Sequence, residues 1–237
     1  MKNLLVRVLT VIIVLVVLFC PKGIVNAAKT TKILDEDTKI TPPGVMATIW
    51  MFIPEFKKGT TVILNDNDEV LEGTLTSYEI LTSAAKVSNC YINLSFKPRS
   101  RVTFNDEGKV IKGTIERAVL PVGQLSSVMV KDGTEVSFHD NGILATFTLV
   151  QDTYLRPVGW RQTLRVNFRN KVKCSGLVEF KGETQVELNE KGEVTKGTLN
   201  KDTRLLSPDG SINVYAASTT VEFDENGVVI KAVKPAN

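Results

Sequence analysis

Apolar and polar residues alternate with a period of two along much of this chain, and they do so in five copies of one pattern. In residues 102–115 (VTFNDEGKVIKGTI), Val102 and Phe104 stand between polar neighbours, Asn105-Asp106-Glu107-Gly108 supplies turn residues, and an extended apolar pattern resumes at Val110. That arrangement predicts a β-hairpin. Gly108 falls where a type I turn leaves one residue in the left-handed region, which glycine enters without a Cβ penalty. Matches without a gap run over 62–73, 102–113, 136–147, 186–197 and 221–232. The turn glycine recurs as Gly142, Gly192 and Gly227, and the first copy has Asp68 there, a residue that tolerates the left-handed region better than most. Gly73, Gly113 and Gly197 fall inside the second strand, each followed by Thr and then Leu or Ile. A glycine in a strand marks a bulge or the close approach of a neighbour.

Each hairpin is preceded by a further short strand ending six residues before the aligned valine, at Phe56, Phe96, Val130, Phe180 and Tyr215. Lys57-Lys58-Gly59 and Lys131-Asp132-Gly133 read as three-residue loops with glycine last. A fourth strand follows the hairpin, in Asp152-Thr153-Tyr154-Leu155 and Asp202-Thr203-Arg204-Leu205, and Asp37-Thr38-Lys39-Ile40 matches it near the N-terminus. The expected fold is therefore all-β: roughly sixteen to twenty short antiparallel strands in five tandem hairpin repeats, forming an open elongated or curved stack. A closed five-bladed β-propeller is the alternative, because the strand at 37–40 could complete the last copy, which stops at Ala232. The spacings between copies are 40, 34, 50 and 35 residues, long alternating with short, as if a doubled unit had been duplicated.

The N-terminus sets a separate segment apart. Lys2 and Arg7 precede an apolar run over 8–19, Pro21 breaks it, and Val25-Asn26-Ala27 offers small residues before Ala28. Residues 1–27 thus read as a secretory signal peptide and 28–237 as a single β-repeat domain; a 13-residue run at 8–20 is short of the roughly 20 residues a permanent span needs. The expected location is exported: extracellular, periplasmic or attached to the cell envelope. The charge balance shifts with it, since residues 1–27 hold Lys2, Arg7 and Lys22 and no acid, leaving 26 basic against 26 acidic residues. A global basic field for nucleic acid is not expected. Cys90 and Cys174 remain; they occupy equivalent places two copies apart, which favours small buried thiols over a disulfide.

The longest connector carries the most unusual pattern. From 164 to 174 the even positions are apolar apart from Asn170, while Arg165, Arg169, Lys171 and Lys173 occupy odd positions, and Arg161 extends the same parity. As a strand this gives one buried face and one cationic face. Such a face either keeps an edge strand soluble or forms an anion-binding ridge for a surface polymer or phosphate-bearing lipid.

Catalytic chemistry is sparse. His139 is the single histidine and stands at a turn position held by Asn105, Asn189 and Asp224 in other copies, so it reads as a turn residue. Without a second histidine there is no HExxH site and little basis for a triad. The acidic groups at 35–37 and 66–69 lack the order of an EF-hand, so no metal and no cofactor are expected.

The pieces Phe104-Asn105-Asp106-Glu107-Gly108-Lys109-Val110 and Phe223-Asp224-Glu225-Asn226-Gly227-Val228-Val229 resemble the aromatic, acidic, Asn-Gly core of MORN-variant hairpin repeats. That resemblance implies stacked hairpins and a binding or scaffolding role in an exported bacterial-type protein, and carries over no functional residues. The expected function is a non-enzymatic binding or structural module of the cell envelope, with an anionic surface polymer or another envelope protein as partner. An envelope carbohydrate hydrolase using paired carboxylates is the alternative.

Overall fold

The computed structural model describes residues 29–45, 53–123, 126–161 and 176–234, which form twenty-one strands. The five hairpins are β4–β5 (Thr61–Leu64, Val70–Thr74), β8–β9 (Arg101–Phe104, Val110–Ile115), β12–β13 (Thr134–Phe138, Leu144–Thr148), β16–β17 (Gln185–Leu188, Val194–Thr198) and β20–β21 (Thr220–Phe223, Val229–Val233). With β1 (Thr30–Ile33) they pair in sequence order, β1-β4-β5-β8-β9-β12-β13-β16-β17-β20-β21, into one long antiparallel sheet. A smaller strand pair precedes each hairpin: β2–β3 (Thr38–Lys39, Glu55–Phe56), β6–β7 (Glu79–Val87, Cys90–Phe96), β10–β11 (Ala118–Val122, Ser126–Val130), β14–β15 (Thr153–Leu155, Val178–Phe180) and β18–β19 (Thr203–Leu206, Ile212–Tyr215). Residues of the pairs, such as Leu120, Val128, Leu155 and Phe180, share one continuous core with the inward valines of the sheet. The fold is an all-β open stack.

The turn chemistry explains why each hairpin closes where it does. Asn105 Oδ1 accepts from the backbone N–H groups of Glu107 (3.1 Å) and Lys109 (2.9 Å), and Gly108 donates its N–H to Asn105 C=O at 2.9 Å. Gly108 has φ +69°, and Asp68 takes the same role in the first copy at φ +59°. Past each turn the register slips by one residue: Phe104 faces Val110 while Thr103 faces Lys112, so Ile111 bulges out. The bulge recurs in all five hairpins, a two-against-one pairing that bends and twists the strand.

Packing between sheet and strand pairs rests on an aromatic ring laid over a glycine. A Cβ on Gly113 would lie 2.8 Å from Phe96, and one on Gly197 would lie 2.6 Å from Phe180; Gly73 meets Phe56 in the same way. All three rings are fully buried. The third copy exchanges the two sizes. Val130 stands at the ring position and Phe147 at the glycine position, both fully buried, so the same space is filled from the opposite side. In the fifth copy Tyr215 and Ala232 hold these places, and the Tyr215 hydroxyl hydrogen-bonds Ser207 Oγ at 2.8 Å.

Neighbouring copies are also tied at their loops. Lys97 Nζ donates to Asp132 at 2.9 Å, Lys131 pairs with Glu183, and Lys181 Nζ donates to Ser218 Oγ at 3.0 Å, each lysine reaching the loop of the following copy. The Lys97 hydrogen bond holds the Asp132 carboxyl below its ordinary range, and Asp132 in turn raises Lys97.

The five-bladed propeller does not form, because β2 pairs with β3 inside the first copy instead of completing the last. The two free edges, β1 and β21, each carry a lysine where interior copies are apolar or bare. Lys32 faces Val62 in the register at which Gly73 faces Val102, and the exposed Lys234 falls where Leu75, Ile115, Leu149 and Leu199 are buried. Charges on an edge strand block its extension by another chain. The sequence reading did not find β1; and Cys90, expected to be a buried thiol, is free but exposed, beside the tight Ser88-Asn89 turn at the tip of β6–β7. Cys174 and the segment 1–27 lie outside the described residues. Among the described residues no helix is long and apolar enough to cross a membrane.

Two predictions follow from these contacts. Val130→Phe alone overpacks and Phe147→Gly alone leaves a cavity, each costing about 1–5 kcal/mol in urea unfolding. Combined, they recreate the arrangement of the other copies and recover at least about 1 kcal/mol of the summed loss, a coupling that independent sites would not show. Replacing Lys32 by Gly and Lys234 by Leu unblocks both edges, and sedimentation velocity should then show concentration-dependent association that the parent lacks.

Candidate functional site

Four of the five smaller strand pairs contact the hairpin that follows them near its turn. Thr41 C=O accepts from Val70 N–H at 3.0 Å, Ser83 pairs with Val110, Pro157 with Val194 and Leu206 with Val228. Crossovers within the pairs then press on the turn of the next hairpin along. A Cβ on Gly227 would lie 2.5 Å from Val158 C=O, and one on Gly192 would lie 2.7 Å from Gly123 N. Gly159, at φ +66°, meets the backbone of Asn226 so closely that no side chain fits.

The crossovers differ in length. Residues 156–177 separate β14 from β15, 22 positions, against 15 between β2 and β3, two between β6 and β7, three between β10 and β11 and five between β18 and β19. The first part of the longest opens a cleft of about 720 Å³ between the third, fourth and fifth copies. The floor comes from Val122, Gly123, Gly159 and Gly192, and the walls from Tyr154, Arg156, Trp160, Arg161, Lys191, Glu193 and Glu225. Arg156 is held by its own backbone, whose carbonyl accepts from Val194 N–H at 2.8 Å. Trp160 N–H donates to Pro157 C=O at 3.2 Å, which turns the chain and brings the indole back toward Arg156.

Both guanidinium groups lie against that indole. Arg156 Cζ is 4.6 Å and Arg161 Cζ 5.2 Å from the ring centroid, within the range at which the aromatic quadrupole attracts a cation. Among the described residues neither arginine, nor Lys191, has a carboxylate within ion-pair distance, whereas Lys97, Arg101, Lys112, Lys131, Lys196 and Lys201 all do. Glu193 is engaged by Asn189 Nδ2 at 3.1 Å, inside its own turn. At the far wall Lys201 Nζ donates to the Tyr154 hydroxyl at 2.6 Å and to Glu179 at 3.0 Å; these two bonds raise the Lys201 pKa. Unpaired guanidinium edges in a concave, partly aromatic wall are suited to oxyanions, which they can take two hydrogen bonds at a time.

Of the residues the sequence singled out, Arg161 lies in this cleft, while Arg165, Arg169, Lys171 and Lys173 fall at 162–175, outside the described residues. Sequence reasoning missed Arg156 and Trp160. Their signal was weak: Arg-Pro-Val-Gly-Trp-Arg is the one crossover that places arginines on both sides of a tryptophan. His139 departs from the turn pattern in an informative way. Its Nε2–H donates to Leu188 C=O of the next copy at 2.8 Å, and Asn141 takes over the turn by accepting from Ile143 N–H at 3.0 Å. Among the described residues no three His, Cys, Asp or Glu side chains gather as a metal site.

Two left-handed glycines give a direct test of the crossover contact. Gly210 (φ +79°) and Gly227 (φ +81°) share a left-handed backbone, but nothing lies within 4 Å of a Cβ on Gly210. Gly210→Ala should cost only the left-handed penalty of about 1–2 kcal/mol. Gly227→Ala adds a collision with the Val158 carbonyl and should lower the melting temperature clearly further. No protein-family model, no curated protein and no solved structure matches this chain.

Proposed function

We propose that this chain is an exported, non-enzymatic binding repeat protein of the cell envelope that holds an anionic surface polymer. The observation that carries the reading is the set of three cations lining one cleft, Arg156, Arg161 and Lys191, without carboxylate partners among the described residues. The sequence runs on from Arg161 into the alternating basic pattern at 165–173, so further positive charge follows the cleft along the chain. The MORN-variant likeness of the turns fits the same scaffold role, and a rigid stack lets several weak contacts add along a polymer. The apolar run at 8–19 supports export.

A second reading rests on one feature of the cleft: Glu193 and Glu225, from the turns of two successive copies, both line it. Two carboxylates across a sugar-sized space are the equipment of a glycoside hydrolase. New reducing ends released from cell-wall polysaccharide, and lost in Glu225→Gln, would establish that reading and overturn the binding-only one.

The binding reading is tested with poly(glycerol phosphate) and polygalacturonate as probes. Affinity should fall linearly on a log–log plot against salt, since each neutralised anion releases counterions. Replacing Arg165, Arg169, Lys171 and Lys173 together by Gln should weaken binding at least about tenfold with the melting temperature nearly unchanged, as expected for a cationic face read from the sequence pattern, since charges on a solvent face contribute little to stability. A variant that binds both probes as tightly as the parent would reduce that stretch to a solubilising face.

A further inference from the structure

We infer that Trp160 is a positioning residue that holds Arg156 and Arg161 as a preorganised two-guanidinium clamp, and that the clamp takes oxyanion groups, phosphate or carboxylate, carried by the bound polymer. The inference rests on the proposed anion-binding function and goes past it, because it assigns the recognition to the planar fork of two particular arginines instead of to positive charge at large.

An arginine on a surface ordinarily samples many rotamers, and fixing it on a ligand costs side-chain freedom. Here the cost is lowered before a ligand arrives. Both side chains are exposed, yet both guanidinium carbons lie about one ring-width from the same indole, at 4.6 and 5.2 Å. A guanidinium drawn to an aromatic ring still carries five N–H donors, and two of them can meet a carboxylate or phosphate in bidentate fashion. The indole is half-buried and its backbone is fixed by the Pro157 turn, itself bound to β17 through Val158 N–H and Val194 C=O at 2.9 Å. The clamp therefore stands on the sheet, in the cleft that Lys191 also lines. A lysine in place of either arginine would keep the charge but lose both the flat stacking face and the fork.

The chain has two tryptophans, so a Trp50→Phe background leaves Trp160 as the sole indole emitter. In that background, poly(glycerol phosphate) or polygalacturonate should produce a saturable change in emission, and neutral dextran none. A change with only one of the two polyanions identifies the source of the oxyanion, phosphate or carboxylate, and supports the clamp. Arg156→Lys with Arg161→Lys should weaken binding by about tenfold at unchanged net charge, because two bidentate contacts become point-charge contacts. Trp160→Leu, read by calorimetry, should weaken it similarly although it removes no charge. If the double Lys variant binds as the parent does, charge suffices and the clamp is overturned while anion binding stands. If Trp160→Leu binds as the parent does, Trp160 positions nothing and the clamp is likewise overturned. If the parent binds neither polyanion, the clamp and the function beneath it both fall. The double Lys variant leaves the fold contacts of Trp160 intact, so it decides the matter even where Trp160→Leu fails to fold.

Discussion

A phenyl ring resting where a Cβ would have to be is the contact on which this architecture depends. Strand pair and sheet can share a core only if their backbones come close, and glycine at 73, 113 and 197 lets Phe56, Phe96 and Phe180 fill the gap with a flat, fully buried side chain. A buried phenyl ring at the site is kept, while the strand that supplies it is not. The third copy supplies the ring from residue 147 and shrinks the opposite partner to Val130, so close packing is kept with the roles exchanged. Interiors that transmit strain as solids do leave few such solutions, and this chain uses two of them.

The same spacing gives the functional region its place. Because the strand pairs lie close on the sheet, their crossovers must run over the hairpin turns, backbone on backbone, and the turn glycines at 192 and 227 make room for them. The longest connector is where the cleft lies. Residues 156–177 form it, with the cleft's arginines anchored at one end to β17. A loop carried on a rigid scaffold is where binding residues tend to sit.

Much of the fold was legible in the sequence because period-two alternation and turn chemistry are local. The ends of the preceding strands at Phe56, Phe96, Val130, Phe180 and Tyr215 are found as read, and so is the left-handed residue of every hairpin turn, Asp68 included. Less local features were hidden. In the three-residue loops, Arg99, Glu183 and Ser218 adopt positive φ without being glycine, at +58°, +63° and +63°, because a Ser or Thr hydroxyl beside two of them binds back to the loop lysine and tertiary packing overrides propensity. Strand β1 was missed since Lys32 and Ile33 carry no alternation; an edge strand has no face to bury. The cleft was half legible: a basic parity pattern flags a run of like charge, but the stacking of Arg156 on Trp160 four residues away needs the Pro157 turn, which only the folded chain displays.

The crossovers overlap like shingles. Each is pinned to the hairpin that follows it and lies over the turn of the hairpin after that, as Arg156 and Pro157 bind Val194 while Val158 and Gly159 cover Gly227. A roof laid this way has a direction. A unit cannot lift without raising the strap that crosses its turn from the copy before it, as Val158 and Gly159 of the fourth copy cross Gly227 of the fifth. The fifth copy's own turn lies under the strap of the fourth, so the charged cleft, which borrows a wall from the fifth copy through Glu225, ties two copies together where its arginines are anchored.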